Sequence, residues 1–390
     1  MTTTLQEPAA PARGQEADIG MPVSGIVDIA EASAFVRTSG YRCGPDDVII
    51  SAGQLRQYAL RKGDQIEGAA RPDKRGGTFR PLIRVDAING LPPDRARTRV
   101  HFADLTPLYP QERLRLEDGS SCATARIIDL VAPIGKGQRG LIVAPPKAGK
   151  TTILQTIAAA IATSHPEVEV MMVLVGERPE EVTDLRRTVR GQVIYSTFDQ
   201  PATDHIRVAE MAIERAKRLV ELGRDVVVLL DSITRLGRAY NVVAPANSRT
   251  LAGGVAASAL TPPRQFLGAA RNVEFGGSLT ILSTALVDTG SRMDDVLFEE
   301  FKGTGNMEVR LRRELAERRL YPAIDAMPSG TRHDELLMPP EEYEAIGQLR
   351  RALGGLDYQQ GLELLIEKTR TTASNAAFLS QIQGQLQRAR

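Results

Sequence analysis

The 390-residue chain contains no tryptophan, two cysteines, four histidines and 4% aromatic side chains. Its cysteines, Cys43 and Cys122, stand far apart and outside any metal-ligand spacing. That excludes a disulfide framework and a cysteine-built zinc site, and is the usage expected inside a cell. No run of about 18 apolar residues occurs, and the opening M-T-T-T-L-Q-E-P-A-A-P-A-R-G-Q-E-A lacks the apolar stretch of a secretory signal. A cytoplasmic location is therefore expected. The net charge is +1, from 49 basic and 48 acidic residues, so a polyanionic partner must be met by a local basic surface. What is present is 42% hydrophobic content, on a length sufficient for one large α/β core and a smaller domain.

Residues 1–22, rich in Ala, Pro, Thr and Gln, have little to bury and are expected to form a disordered tail. Over 23–90 the pattern changes to short apolar runs divided by turn residues: 25–29, 34–38, 47–51, 63–68 and 79–88. Five close-spaced strands predict a small β-barrel of OB type. Residues 91–125, with P-P-D-R-A-R-T-R and L-T-P-L-Y-P, read as a linker. Over 126–390, apolar strands at 139–144, 168–175, 192–198, 225–230 and 278–286 alternate with helices such as 151–163 and 203–222, and the stretch from 340 reads as helical. Uniformly apolar strands of this kind predict a parallel sheet covered on both faces.

The run R-G-L-I-V-A-P-P-K-A-G-K-T-T-I-L-Q (139–155) nearly spells the phosphate-loop pattern G-x-x-x-x-G-K-[ST], with Ala144 in place of its first glycine. It follows a strand and opens a helix, the context the motif requires. Backbone N–H groups of Ala148, Gly149, Lys150 and Thr151, with Thr152 next in line, are expected around phosphates at the helix end. Lys150 suits the β/γ oxygens and Thr151 a Mg²⁺ ion. Asp231 ends V-V-V-L-L-D as a metal-supporting acid would; it also suits the cap of the next helix. Glu177 ends V-M-M-V-L-V-G-E and can polarise a water, although helix-start duty shared with Glu180 and Glu181 explains it as well.

The longer runs G-Q-R-G-L-I-V-A-P-P-K-A-G-K-T, G-E-R-P-E-E-V-T, L-L-D-S-I-T-R-L-G-R-A-Y-N, F-L-G-A-A-R-N-V-E and E-E-F-K-G-T-G-N-M-E together resemble the bacterial transcription termination factor Rho family. The resemblance spans roughly residues 24 to 385. It implies a homohexameric RecA-like P-loop ATPase that uses ATP to move along single-stranded RNA toward the 3′ end and frees transcripts from RNA polymerase. It implies that Lys147, Lys150 and Thr151 hold the phosphates and Mg²⁺, that Glu177 activates the water and that Asp231 supports the metal. Arg178 and the segment Gly135, Lys136, Gly137, Gln138, Arg139, Gly140 are implied to contact or frame the nucleotide. Arg332, with Arg319 as second candidate, is implied to act as an arginine finger in a neighbouring subunit.

Two channel-facing loops are implied as well. The first, 247–254, contributes Arg249, Thr250, Leu251, Ala252, Gly253 and Gly254; the second, 288–292, contributes Arg292. Family members commonly carry lysine at both cation positions. Residues 56–99 hold eleven basic side chains against five acidic ones, a local excess suited to single-stranded RNA. In the barrel the resemblance assigns RNA contacts to Phe35, Arg37, Asp47 and Phe79. Ser33 and Ile49 stand where the family has aromatic residues, which removes two stacking platforms. Another hexameric motor, or an RNA-binding regulator with weakened loading, is the competing reading, separable by whether RNA stimulates ATP hydrolysis.

Overall fold

A computed structural model of the chain describes residues 20–30, 33–72, 78–119 and 122–388, with side chains to residue 382. The tail expected at 1–22 lies outside the described residues up to position 19, as do Asp73, Lys74 and Arg75 of the basic segment. The five expected strands form as β1 (Met21–Ile29), β2 (Ala34–Arg37), β3 (Val48–Ile50), β4 (Gln65–Ala70) and β5 (Arg80–Ile88), with α1 (Ala52–Gln57) between β3 and β4. They close in the order β1-β2-β3-β5-β4. Inward residues Val27, Val36, Ile50, Ile66, Leu82 and Ile88 fill the interior, as alternation along half-buried strands requires. Ser51 and Gln54 make a reciprocal capping box that starts α1. The OB-type barrel expected from the sequence is the one observed.

The chain divides into two compact units. The first carries the barrel and runs through α2 (Pro93–Ala96) to Arg97; the second runs from Thr98 and takes in Gly40–Arg42 and Lys62–Asp64. Of the stretch 91–125 read as a linker, 98–125 thus fall in the second unit, where Leu114 and Leu116 are completely buried.

The second unit contains β6 (Pro107–Leu108), α3 (Ala123–Val131), β7 (Arg139–Ala144), α4 (Lys150–Ser164), β8 (Glu169–Glu177), α5 (Pro179–Thr188), β9 (Gln192–Thr197), α6 (Ala202–Val220), β10 (Asp225–Asp231) and α7 (Ile233–Val243). Then come α8 (Ala257–Gly268), β11 (Arg271–Val273), β12 (Ser278–Leu286), α9 (Arg292–Lys302), β13 (Met307–Leu311), α10 (Arg313–Glu317), β14 (Ile324–Thr331), α11 (Pro340–Leu353), α12 (Tyr358–Thr371) and α13 (Asn375–Arg388). The main sheet runs β14-β13-β7-β12-β10-β8-β9. All neighbouring pairs from β13 to β9 are parallel, and only β14 runs against its neighbour. The central strands are apolar almost throughout because helices cover both faces. Val170–Val175 of β8 and Val226–Leu230 of β10 are all buried. Among the described residues no helix is long and apolar enough to cross a membrane.

The C-terminal helices are tied to this sheet by a buried cation. Arg126 on α3 is 2% exposed and donates to Asn375 Oδ1 (3.0 Å), to the carbonyl of Thr372 (2.6 Å) and to Thr372 Oγ1 (2.8 Å), while lying 3.2 Å from Glu117. A methionine fills comparable space and satisfies none of these acceptors. Arg126→Met should therefore lower unfolding stability by about 3 kcal/mol, read from the urea midpoint; a change within a few tenths would show that the anchor is dispensable.

Candidate active site

Strands β7, β12, β10 and β8 are neighbours and parallel, so their carboxyl ends meet at one edge, where open α/β sheets bind ligands. After β7 the chain turns through Pro145 and Pro146. Lys147 (φ 68°) and Gly149 (φ 92°) take left-handed conformations before α4 begins at Lys150. Only glycine adopts that conformation without cost, which accounts for Gly149 at the helix cap. The Ala148 N–H already bonds the Pro145 carbonyl at 3.3 Å. This corrects one expectation: the amides at the mouth of the helix are those of Gly149, Lys150, Thr151 and Thr152, the four that a helix start leaves without internal partners.

Lys150 is the centre of the charge cluster. Its Nζ lies 2.7 Å from both oxygens of Asp231 and 2.8 Å from Glu177 Oε1. Asp231 also accepts from Thr151 Oγ1 (3.2 Å) and from Thr284 Oγ1 on β12 (2.8 Å). Arg235 on α7 reaches Glu177 Oε1 at 3.3 Å and donates to the Gly176 carbonyl. Glu177 and Asp231 are 2% and 0% exposed. Burial, reinforced by the negative charge of Asp231, pushes the Glu177 carboxyl up to about 7, against the pull of Lys150 and Arg235. Burial also works against the Lys150 ammonium, but Asp231 and Glu177 outweigh it and hold its pKa above the ordinary lysine value.

Thr151 Oγ1 and Asp231 Oδ2 present a pair of hard oxygen donors beside the phosphate loop, the chemistry Mg²⁺ prefers when phosphates and water complete its shell. Among the described residues no group of three or more His, Cys, Asp or Glu forms a protein-only metal cage. Ser232, and not Asp231, caps the following helix, accepting from the Arg235 N–H. Next to the loop lies a cavity of about 480 Å³ lined by Pro146, Lys147, Arg313, Ala316, Glu317 and Tyr321. The Tyr321 ring is half-exposed and abuts Gly149. Sequence reasoning missed this tyrosine, because only the fold brings the connection between β13 and β14 over the phosphate loop.

Other expected site residues fall elsewhere. Gly135 to Gly140 stand at the amino end of β7, about 20 Å from the loop at a strand's usual rise. Lys136 pairs with Glu112 (2.5 Å) and Asp225 (2.8 Å), Gly137 N–H bonds Thr280, Gln138 bonds Asn306, and Arg139 bonds the Thr304 and Ala270 carbonyls. Within one chain they hold strand ends together and do not reach the nucleotide loop. Arg178 is exposed beside Glu181 (3.9 Å). Arg319 (φ 58°) is exposed on the connection between β13 and β14. Arg332 follows β14, whose Thr331 pairs with Met307, which in turn pairs with Gly140. It is therefore at the far end of the sheet from its own phosphate loop, exposed at a cavity of about 510 Å³.

The two expected RNA-facing loops meet. A Cβ on Gly253 (φ 70°) would fall 2.6 Å from the Arg292 carbonyl, so this position admits only glycine. Helix α7 grips both loops. Arg238 makes two bonds to buried Asp294 (2.8 and 2.5 Å), which also accepts from Thr289 Oγ1 at 2.6 Å. Asn241 bonds the Gly254 carbonyl (3.2 Å) and the Ala256 N–H (2.7 Å). In the barrel, the Phe35 and Phe79 rings meet edge-on at 4.9 Å, and Arg37 lies 4.8 Å over Phe35. Arg37 is in turn held by Asp28 (2.6 Å) and Asp47 (2.6 Å). Ile49 is 37% exposed.

This arrangement is that of a P-loop nucleotide-binding domain joined to a small barrel. Residues 124–331 match the ATP synthase alpha/beta family nucleotide-binding domain, and residues 23–94 match the Rho termination factor RNA-binding domain. The chain is 61% identical over 382 residues to transcription termination factor Rho of Streptomyces lividans, covering 97% of this chain and 54% of that protein. It is 58% identical over 384 residues to that of Streptosporangium roseum, covering 98% of each. It belongs to the Rho transcription termination factor family, and spans about half the length of the first of these relatives. In fold it is similar to a prototypical ATPase of a type III secretion system (TM-score 0.60, 22% identity, 71% of this chain and 86% of the other).

Removing Arg238 leaves Asp294 buried with a lost partner. Arg238→Met should accelerate amide exchange across 288–292 roughly tenfold or more, followed by hydrogen exchange; unchanged protection would show that α7 does not hold the second loop.

Proposed function

We propose that the chain hydrolyses ATP when RNA threads its paired loops, assembles as a homohexamer, and in the cytoplasm releases nascent transcripts from RNA polymerase. The observation that carries this reading is Lys150 bridging Glu177 and Asp231 beside the free amides of α4. Without nucleotide, the ammonium masks the carboxylate that would act as base. ATP draws Lys150 and Lys147 onto its phosphates, the amides of Gly149 to Thr152 take phosphate oxygens, and the Tyr321 face packs against the base. Thr151 and Asp231 would hold Mg²⁺, which would supply neutralisation of phosphate charge. Glu177, released from Lys150 and oriented by Arg235, accepts the proton of the attacking water.

Arg332 lies too far from its own loop to serve it, which supports a role across a subunit boundary, where a guanidinium stabilises charge on the transferring phosphoryl group. Arg249 and Arg292 bind the RNA backbone, with Gly253 and Gly254 letting the chain approach it closely; arginine makes forked contacts where lysine makes a point charge. Phe35, Arg37, Asp47 and Phe79 form the loading patch on the barrel. The partial exposure of Ile49, together with Ser33, favours one second reading, a family member that loads RNA weakly.

ATP hydrolysis measured with and without pyrimidine-rich RNA tests the main reading. RNA should stimulate the wild type, and Lys150→Ala and Glu177→Gln should abolish turnover; a stable assembly indifferent to RNA would sink the motor assignment. Because Glu177 must be ionised and its carboxyl sits near 7 in the free chain, kcat/KM for ATP should climb with pH through about 7 and level off above it. A flat profile between pH 6 and 8 would remove Glu177 as base. On the barrel, Ser33→Phe should tighten RNA binding about tenfold at fixed salt, and an unaltered titration would mean that loading avoids this face.

A further inference from the structure

We infer that Thr284 is the positioning residue that aims Asp231 at the metal, an inference that rests on the nucleotide-site reading. Strand β12 lies between β10 and β7, and its Ser283 pairs with Leu230 while Thr284 pairs with Ile142. One step further along β10 stands Asp231, so Thr284 and Asp231 occupy adjacent positions on the same face of the sheet. Both are completely buried, and Thr284 Oγ1 donates to Asp231 Oδ1 at 2.8 Å. Among the described residues this is the hydroxyl's one hydrogen bond, so the side chain has no competing structural duty.

The bonds on Asp231 divide by oxygen. Oδ1 receives Lys150 and Thr284; Oδ2 receives Lys150 and Thr151. When Lys150 turns to the phosphates, both of its bonds leave the carboxylate. Thr151 is itself committed to the metal. Thr284 is then the donor that stays, on a strand hydrogen-bonded to β10 along its length, with a branched side chain whose χ1 is stiff. It occupies Oδ1 and so leaves Oδ2 turned toward Thr151 and the metal position. A carboxylate without that donor can rotate toward any other, and loses its aim.

Valine keeps the volume and branching of threonine and removes only the donor. Binding of a fluorescent ADP analogue, titrated with and without Mg²⁺, separates the effects. Thr284→Val should lose about tenfold of the Mg²⁺-dependent gain in affinity while Mg²⁺-free affinity stays put, and Thr284→Ser should restore the gain. The full gain in the valine variant, or equal losses with and without Mg²⁺, would overturn the inference while leaving the nucleotide site standing. Should the valine variant fail to fold, Thr284→Cys carries the same comparison: a partial loss supports the role and an undiminished gain overturns it. A wild-type chain that binds no ADP would overturn the nucleotide reading and this inference together.

Discussion

The ammonium of Lys150 is the interaction on which the large unit depends. Two carboxylates buried side by side repel each other, and the cation between Glu177 and Asp231 offsets that repulsion. The lysine arrives from a helix start, the acids from the ends of β8 and β10. Their meeting rests on the parallel order of the sheet, in which β10 and β8 are neighbours and β7 stands one strand away across β12. The apolar length of those strands serves the same end: it sets a rigid edge at which three charged groups stay within hydrogen-bond reach. The site is thus poised, with the charge that neutralises its acids also the one that phosphate would claim.

Helix α7 carries that state away from the edge. It begins two residues after Asp231 and places Arg235, Arg238 and Asn241 at three-residue steps, so they lie along one side of the helix. Arg235 touches Glu177 and the carbonyl before it, Arg238 clamps Asp294 beneath the second loop, and Asn241 brackets the end of the first. A displacement of Glu177 or Arg235 and a displacement of either loop consequently act on one rigid element. A helix of 11 residues spans from carboxylate to loops at about 1.5 Å per residue.

Much of this was legible from the residues. The uniformly apolar runs located the central strands within a residue or two, and short apolar runs divided by turn residues located the barrel. Lys150, Glu177 and Asp231 stood out because each lies at or just after the end of an apolar run, but for Glu177 and Asp231 position alone suited a helix start as well, and the family resemblance chose between the two. What could not be read depends on which strands become neighbours. Thr284 lies inside an apolar run and looks like an ordinary strand residue until β12 is found between β10 and β7. Tyr321 is 172 positions from Gly149, which it abuts. The segment 135–140, assigned to the nucleotide by the resemblance, shows the opposite effect: near the phosphate loop in sequence, it sits at the other end of β7. Ala148 misled by one hydrogen bond, since a proline carbonyl three residues back takes the amide that the motif seemed to offer.

The barrel poses a different balance. In one contact group buried Arg37 is fixed by two buried aspartates and laid over Phe35, and Phe79 closes against the same ring. Locking a guanidinium in this way removes its freedom in advance, so a base entering the group meets donors and acceptors already set, at little ordering cost. The group offers two rings, Phe35 and Phe79, instead of a row. Under the proposed function Ser33 and Ile49 add no stacking platform, and attraction to the RNA backbone, which salt screens strongly, would carry more of the binding energy.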